Sequence, residues 1–128
     1  MRETLAAAGL IATLSLAAAE ARAESFETVT DGRAFVQLVA GKTLTLVRPF
    51  LMRNAVKLQV SPEGRITGTA LTAPVTGQWQ WQNGYFCREM AWGDDPIPAN
   101  CQVVQVNGDR IRFIADQGQG DRADFALR

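Results

Sequence analysis

The stretch that decides the fold is VTGQWQWQNGYFCREMAW, residues 75–92, which is typical of a single β-hairpin. Asn83-Gly84 is a strong signal for a two-residue type I′ turn, because both residues tolerate a positive φ angle. With this turn, Gln82 pairs with Tyr85 and the register of every outer pair follows. One face then carries the large apolar groups, in the pairs Trp81/Phe86, Trp79/Arg88, Gly77/Met90 and Val75/Trp92. Such sorting indicates a half-buried sheet, with Arg88 as a charge on its apolar face.

The N-terminus is predicted to be a signal peptide. Met1-Arg2 is a short basic start, and residues 5–19 form an apolar run without a polar stripe that is too short to span a bilayer. Ala21-Arg22-Ala23 fits the small-x-small cleavage pattern, so we place the cut after Ala23. The alternative is an amphipathic N-terminal helix of the folded domain. We therefore expect an exported, periplasmic protein whose mature chain has no transmembrane segment.

The composition argues against several kinds of chemistry. The chain has 13 basic and 13 acidic residues, so its zero net charge gives no electrostatic argument for nucleic acid or anionic lipid. It has no histidine, which removes Ser-His and Cys-His nucleophile systems and histidine-based zinc sites. Asp94-Asp95 lacks the pattern of a calcium loop, and Gly118-Gln119-Gly120 does not precede a helix as a phosphate loop does. We predict no metal and no cofactor.

The chain has two cysteines, Cys87 and Cys101. In an exported protein a single pair most simply forms a disulfide, which would stabilise the fold by roughly 3 kcal/mol in the chain-entropy model. The alternative, a redox-active pair, lacks the Cys-x-x-Cys spacing. The hairpin register places Cys87 on the face away from Trp79, and strand alternation places Cys101 on the same outward face.

One short helix is predicted before the strands. Asp31 is a typical N-cap, residues 32–40 continue the helix, and Gly41 ends it. Phe35, together with Leu38 and Val39, gives this helix one apolar face. Because so short a helix is not stable alone, it must pack on the rest of the protein.

The remaining chain alternates as strands separated by turn signals. The turns are predicted at SPEG (61–64), Asn107-Gly108 and QGQGD (117–121). They predict the cross-strand pairs Val60/Ile66, Leu58/Gly68, Val56/Ala70, Val104/Ile111, Gln102/Phe113, Ala115/Ala123, Phe113/Phe125 and Ile111/Leu127. Residues 93–100, GDDPIPAN, are predicted to be the longest loop, because two prolines and two aspartates disfavour a strand.

Sequential hairpins with one apolar face predict a mainly β fold. A meander hides such a face best by curling shut, which also removes exposed strand edges. We therefore expect a small antiparallel up-and-down β-barrel of seven or eight strands, with the helix covering one end or flank. The alternative is a flatter sheet packed on the helix. No linker marks a second domain, so residues 24–128 are predicted to form a single barrel domain.

Four residues are candidates for an internal ligand site: Trp79, Trp81, Arg88 and Trp92. The tryptophans, with Phe86 and Met90, form an aromatic-rich wall that can line a pocket or simply fill the core. Arg88 on the apolar face needs a partner, because an unpaired buried charge is unfavourable. It can reach the barrel rim, stack on Trp79, meet a carboxylate, or bind a carboxylate or phosphate of a ligand.

Several short segments carry a family resemblance: FVQLVAGK (35–42), GQWQW (77–81), GYFCR (84–88), Asn100-Cys101 and Gly108-Asp109. After a signal peptide, this pattern resembles a group of small exported alphaproteobacterial proteins that often carry the name dihydrodipicolinate reductase. The resemblance covers most of the mature chain and implies no site residues. The sequence does not support that activity, which needs a nucleotide-binding βαβ unit and a Gly-rich turn. More loosely, the expected shape resembles lipocalin-like or avidin-like barrels and periplasmic barrels that inhibit proteases or lysozymes.

The leading hypothesis is a periplasmic, non-enzymatic barrel that binds a small hydrophobic or anionic molecule or an envelope component. The alternative is an inhibitor or interaction module in which the loop 93–100, held by the disulfide, enters a cleft of a partner protein. An enzyme is the third hypothesis, and it is weakened by the absence of histidine. No nucleic-acid partner is expected, and the oligomeric state stays open.

Overall fold

The computed structural model describes residues 25–128, and the predicted signal peptide lies outside them. The described chain forms nine β-strands and one α-helix, with short 3-10 turns at Phe50–Met52 and Asp116–Gly118. The helix, α1, is Gly32–Val39. The strands are β1 (Glu27–Val29), β2 (Leu44–Arg48), β3 (Val56–Val60), β4 (Arg65–Ala70), β5 (Ala73–Gln82), β6 (Tyr85–Trp92), β7 (Asp95–Asn107), β8 (Arg110–Ile114) and β9 (Arg122–Leu127).

Strands β2 to β9 form a closed antiparallel barrel, which confirms the predicted fold. Each strand pairs with the next along the chain, and β9 returns to pair with β2. β1, which precedes the helix, adds a ninth strand. It pairs with the end of β7, Val29 opposite Val104, where β6 no longer reaches. Closure satisfies the backbone groups that an open sheet would expose at its edges.

The central hairpin has the predicted register. Gln82 pairs with Tyr85, Trp79 with Arg88 and Val75 with Trp92. Asn83 and Gly84 have φ angles of 52° and 83°, as a type I′ turn requires. The turn chemistry of two residues therefore determines which side chains of β5 and β6 face the barrel interior.

Helix α1 also forms where it was predicted, and it packs at one end of the barrel. The Asp31 side chain accepts a 3.0 Å hydrogen bond from the Arg33 backbone N–H, and Gly41 follows the helix with a φ angle of 70°. These are the expected N-cap and C-terminal signals. Phe35 and Val39 are fully buried, so the helix is held by its apolar face.

The prediction of a loop at residues 93–100 is wrong. Only a tight turn separates β6 from β7, and β7 begins at Asp95. In its first half β7 pairs with β6 alone, and its register shifts by one residue opposite the step from Arg88 to Met90. Proline is tolerated on a strand that is paired on one side and at a bulge, which explains how Pro96 and Pro98 fit.

Two predicted registers are wrong by two residues. Asn107 pairs with Arg110, so Gly108 is the first central residue of its turn rather than the second. In the β8–β9 hairpin, Ala123 pairs with Phe113 rather than with Ala115 as predicted. The Ala115 N–H instead donates to the carbonyl of Asp121. A shift of two residues keeps each side chain on its predicted face. The observed pairs that replace the predicted ones are Val104/Phe113, Val106/Ile111 and Ile111/Phe125.

The predicted disulfide between Cys87 and Cys101 is present. The two residues are directly opposite each other in the β6–β7 register. The disulfide therefore joins these strands beside the point where β7 bulges.

A second link on the barrel wall joins β8 to β9. Arg112 Nε lies 2.7 Å from Asp124 Oδ1, and Arg112 Nη2 lies 3.0 Å from Asp124 Oδ2. The guanidinium carbon also lies 3.8 Å from the centroid of the Phe26 ring, just before β1. Both partners are largely buried, so the aromatic ring shields a bidentate ion pair from water.

Candidate functional site

Helix α1 fills one end of the barrel interior through a single aromatic side chain, Phe35. The Phe35 ring contacts four aromatic residues of the barrel, with centroid distances of 5.2 Å to Trp79, 5.3 Å to Trp81, 5.1 Å to Phe86 and 6.4 Å to Phe113. Edge-on and offset contacts of this kind are the favoured geometries between aromatic rings. The helix end of the interior is therefore a packed aromatic core.

The other part of the interior contains a cavity of about 170 Å³. Its lining residues come from seven of the eight barrel strands: Leu44, Leu58, Val60, Ile66, Phe86, Arg88, Met90, Gln102, Phe113, Ala123 and Phe125. Phe86 and Phe113 line this cavity and also contact Phe35. These two rings therefore separate the cavity from the helix.

Two polar side chains interrupt the apolar lining, and both lie on strands beside the disulfide. Arg88 of β6 carries the only charge among the lining residues, and Gln102 of β7 adds an amide. Gln102 pairs with Phe86, so alternation along β7 turns it inward, as alternation along β6 turns Arg88 inward. An apolar cavity with a few convergent polar groups is the usual form of a small-molecule site.

Arg88 is held at its position by the backbone of β7. Its Nη1 atom donates a 2.7 Å hydrogen bond to the carbonyl oxygen of Pro98, at the bulge. Partial burial lowers the pKa of the Arg88 guanidinium, because desolvation disfavours its charged form. An arginine still keeps its proton at neutral pH, so the cavity has a fixed positive charge. Within residues 25–128, no ion pair neutralises that charge.

The three predicted tryptophans lie outside the cavity lining. Trp79 is buried in the aromatic core, where its Nε1 atom donates to the carbonyl of Ser61 at 2.9 Å, and Trp81 stacks on Phe35. Trp92 is partly exposed at the far end of β6, and its Nε1 atom donates to the carbonyl of Ala70 at 2.9 Å. The structure therefore brings Arg88 alone of the four candidates to the cavity.

The possible stack of Arg88 on Trp79 does not form. The cation–π contact found among residues 25–128 is that of Arg112 over Phe26. Arg88 instead donates a hydrogen bond to the backbone of β7 at Pro98.

A larger concave surface of about 580 Å³ lies along β5, β6 and β7 over the disulfide, and Trp79 and Arg88 both belong to its lining. Its lining is mostly polar, with Gln78, Gln80 and Gln82 in a row along β5. It lacks the apolar enclosure that usually buries a small ligand, so the interior cavity is the stronger candidate.

Several cavity residues were not singled out from the sequence. Gln102 carried a usable signal, because the predicted register placed this polar residue on the apolar side of its strand, as it did Arg88. Ala123 carried no such signal in the sequence, because it matters for the cavity only through the space that its small side chain leaves unfilled.

Among residues 25–128, no cluster of three or more Cys, Asp or Glu side chains is arranged to hold a metal ion. No helix in the same part of the chain is long and apolar enough to cross a bilayer.

No family model, curated protein or solved structure matches the chain. A function is therefore argued from the barrel, its cavity and the positive charge of Arg88 in the cavity lining.

Proposed function

We propose that this chain is an exported, periplasmic binding protein for a small molecule with an apolar body and an anionic head group, a carboxylate in the simplest case. The observation that carries the proposal is the Arg88 guanidinium, which faces an apolar cavity and has no carboxylate partner within residues 25–128. The resemblance to small exported alphaproteobacterial proteins is part of the same proposal.

The size of the cavity limits the apolar body. A dry protein cavity of about 150 Å³ accommodates a benzene molecule, and the interior here measures about 170 Å³. A single aromatic ring or a short alkyl chain therefore fits, whereas a long acyl chain does not. Leu58, Ile66 and Met90 would contact this body.

The chemistry of the head group follows from the N–H donors of Arg88. A guanidinium has five N–H donors in a planar fork that suits the two oxygens of a carboxylate. One Arg88 donor is used by the carbonyl of Pro98, which fixes the orientation of the group. The remaining donors and the nearby Gln102 amide can bind an anion at the cavity mouth.

The lining of the cavity supports binding rather than catalysis. It contains no histidine, carboxylate, cysteine or serine that could act as a nucleophile or general base. In addition, every strand pair of the described chain is antiparallel, whereas the reductase activity suggested by the inherited family name needs a parallel βαβ unit. A non-enzymatic role is therefore the simplest proposal.

A series of benzene derivatives of nearly equal size tests this proposal. Benzoate, toluene and benzylammonium are titrated into the mature protein by isothermal calorimetry. We expect benzoate to bind more tightly than toluene, and benzylammonium to bind most weakly because its charge matches that of Arg88. Arg88→Met should remove the preference for benzoate, while the matched variant Arg65→Met, on the exposed face of β4, should keep it. Equal affinity of all three compounds for the wild type would refute the anionic part of the proposal.

A further inference from the structure

The end of the barrel opposite α1 carries an exposed apolar surface. All the large hydrophobic side chains that are exposed among residues 25–128 lie there: Phe50 (74%), Leu51 (95%), Met52 (38%), Leu71 (60%) and Trp92 (38%). They belong to the β2–β3 loop, the β4–β5 turn and the end of β6. Because neighbouring strands are antiparallel, the ends of β2, β4 and β6 meet at the same end of the barrel. We call these five residues the apolar rim.

The backbone holds the apolar rim in place. Met52 N–H donates to the carbonyl of Pro49 at 3.0 Å, and Arg53 N–H donates to that of Phe50 at 3.1 Å, which closes the 3-10 turn. Leu71 N–H donates to the carbonyl of Ala55 at 2.7 Å, joining the second turn to the first loop. The Trp92 indole is fixed by its bond to Ala70. The apolar side chains are therefore presented outward by an ordered surface, which in a soluble domain indicates an interaction site.

Basic residues surround the β2–β3 part of the rim. Around the β2–β3 loop, between residues 47 and 56, the chain has two basic side chains, Arg48 and Arg53, and no acidic one. Phe50 shares a groove at the base of the loop with Arg48, Arg53 and Arg110. A tip with exposed apolar side chains and flanking cations complements a bilayer whose head groups carry negative charge.

Acidic residues lie on the other side of the same barrel end. Asp94 and Asp95 follow Trp92, and Asp116 and Asp121 belong to the β8–β9 loop. These carboxylates would be repelled by an anionic surface. The charge separation therefore selects a tilted orientation, with the β2–β3 loop and Leu71 toward the lipid and the acidic loops away from it.

We infer that the apolar rim is a membrane-docking surface that rests on anionic phospholipid. Phe50, Leu51 and Leu71 enter the boundary between head groups and acyl chains, and Arg53 binds lipid phosphates. Trp92 lies at the edge of this contact, in the interfacial position that tryptophan favours. The inference is independent of the ligand proposed for the cavity, because it depends on different side chains.

Vesicle co-sedimentation tests this inference with the full mature chain. The probes are vesicles of phosphatidylethanolamine and phosphatidylglycerol, with phosphatidylcholine vesicles as the uncharged comparison. We expect binding to the anionic vesicles that weakens with added salt and is much weaker on phosphatidylcholine. Phe50→Ser/Leu51→Ser should weaken binding by about tenfold or more, because the two apolar side chains can no longer be buried in lipid.

Charge variants and a second apolar variant complete the test. Arg53→Gln should weaken binding about fivefold, whereas Arg65→Gln, an exposed arginine outside the rim, should have no effect. Leu71→Ser, in the separate β4–β5 turn, should also weaken binding to the vesicles. The result then does not depend on whether the Phe50→Ser/Leu51→Ser variant folds. Failure of the wild type to sediment with anionic vesicles would overturn the inference. So would concentration-dependent dimers that the double variant abolishes, since a second copy of the chain would then cover the rim.

Discussion

Arg88 Nη1 donates a 2.7 Å hydrogen bond to the carbonyl oxygen of Pro98, across the bulge between β6 and β7. The bond fixes one edge of a guanidinium that would otherwise be free to move into solvent. The same bulge is where proline interrupts the regular pairing, so an irregularity in the sheet positions the charge in the lining of the cavity. This relationship explains how a cation is kept on the apolar face of the hairpin.

The small side chain at position 123 should determine whether the cavity accepts a ligand. Ala123→Leu adds three carbons to the lining, and we expect it to raise the free energy of unfolding by about 1 kcal/mol. The same variant should weaken benzoate binding at least tenfold, because the space is filled. The control Ala40→Leu, exposed after α1, should leave binding unchanged. Calorimetry and urea unfolding measure the two effects, and undiminished binding by Ala123→Leu would place the ligand elsewhere.

Phe35 should be the side chain of α1 that contributes most to stability. It is fully buried and contacts four aromatic rings, so Phe35→Ala should lower the free energy of unfolding by about 3–5 kcal/mol. Gln37→Ala, on the exposed face of the same helix, should change it by less than about 0.5 kcal/mol. Urea unfolding followed by circular dichroism compares them. Similar losses for both variants would mean that the helix does not close the barrel.

Removing one partner of the ion pair between Arg112 and Asp124 should destabilise the fold more than replacing both partners with apolar residues. Asp124→Leu alone leaves a largely buried guanidinium without its bidentate partner, and we expect a loss of about 3–5 kcal/mol. The double variant Arg112→Met/Asp124→Leu should recover a substantial part of this loss, because neither charge of the pair is then left without the other. Urea unfolding of both variants provides the comparison. A double variant less stable than Asp124→Leu would contradict this view of the pair.

Ligand binding should depend on pH through the ligand rather than through Arg88. Burial lowers the pKa of the Arg88 guanidinium, but arginine still remains protonated throughout the accessible range. The affinity for benzoate should therefore be constant between about pH 6 and pH 9. It should fall as the pH drops through about 4, where a carboxylic acid becomes neutral. Calorimetric titration across this range checks the prediction, and an affinity that instead rose on acidification would argue against a carboxylate on Arg88.

Much of the fold could be predicted from the sequence because the decisive signals are local. Asn83-Gly84 determines the register of the central hairpin, and Asp31 with Gly41 marks the ends of the helix. The errors arose where a local rule has two solutions. A glycine such as Gly108 can occupy either central position of a hairpin turn, and the choice moves the register by two residues.

The candidate site could be predicted only in part. Alternation along β6 places Arg88 inside, but the empty space depends on how inward side chains from seven strands meet, which no single stretch encodes. Pro96 and Pro98 indicated a loop because their strand was not known to pair with β6 alone in that half. Trp92 shares the face of Trp79, yet it is partly exposed at the end of β6, so alternation alone overestimated its burial.

The most direct test of the proposed function is the position of bound benzoate, measured by intermolecular nuclear Overhauser effects in the mature protein. The cavity predicts contacts from the ring protons to the methyl groups of Leu58, Ile66 and Met90, together with a shift of the Arg88 side-chain resonances. Contacts confined to the outer face of β5, β6 and β7, with no effect on these methyl groups, would contradict an interior site.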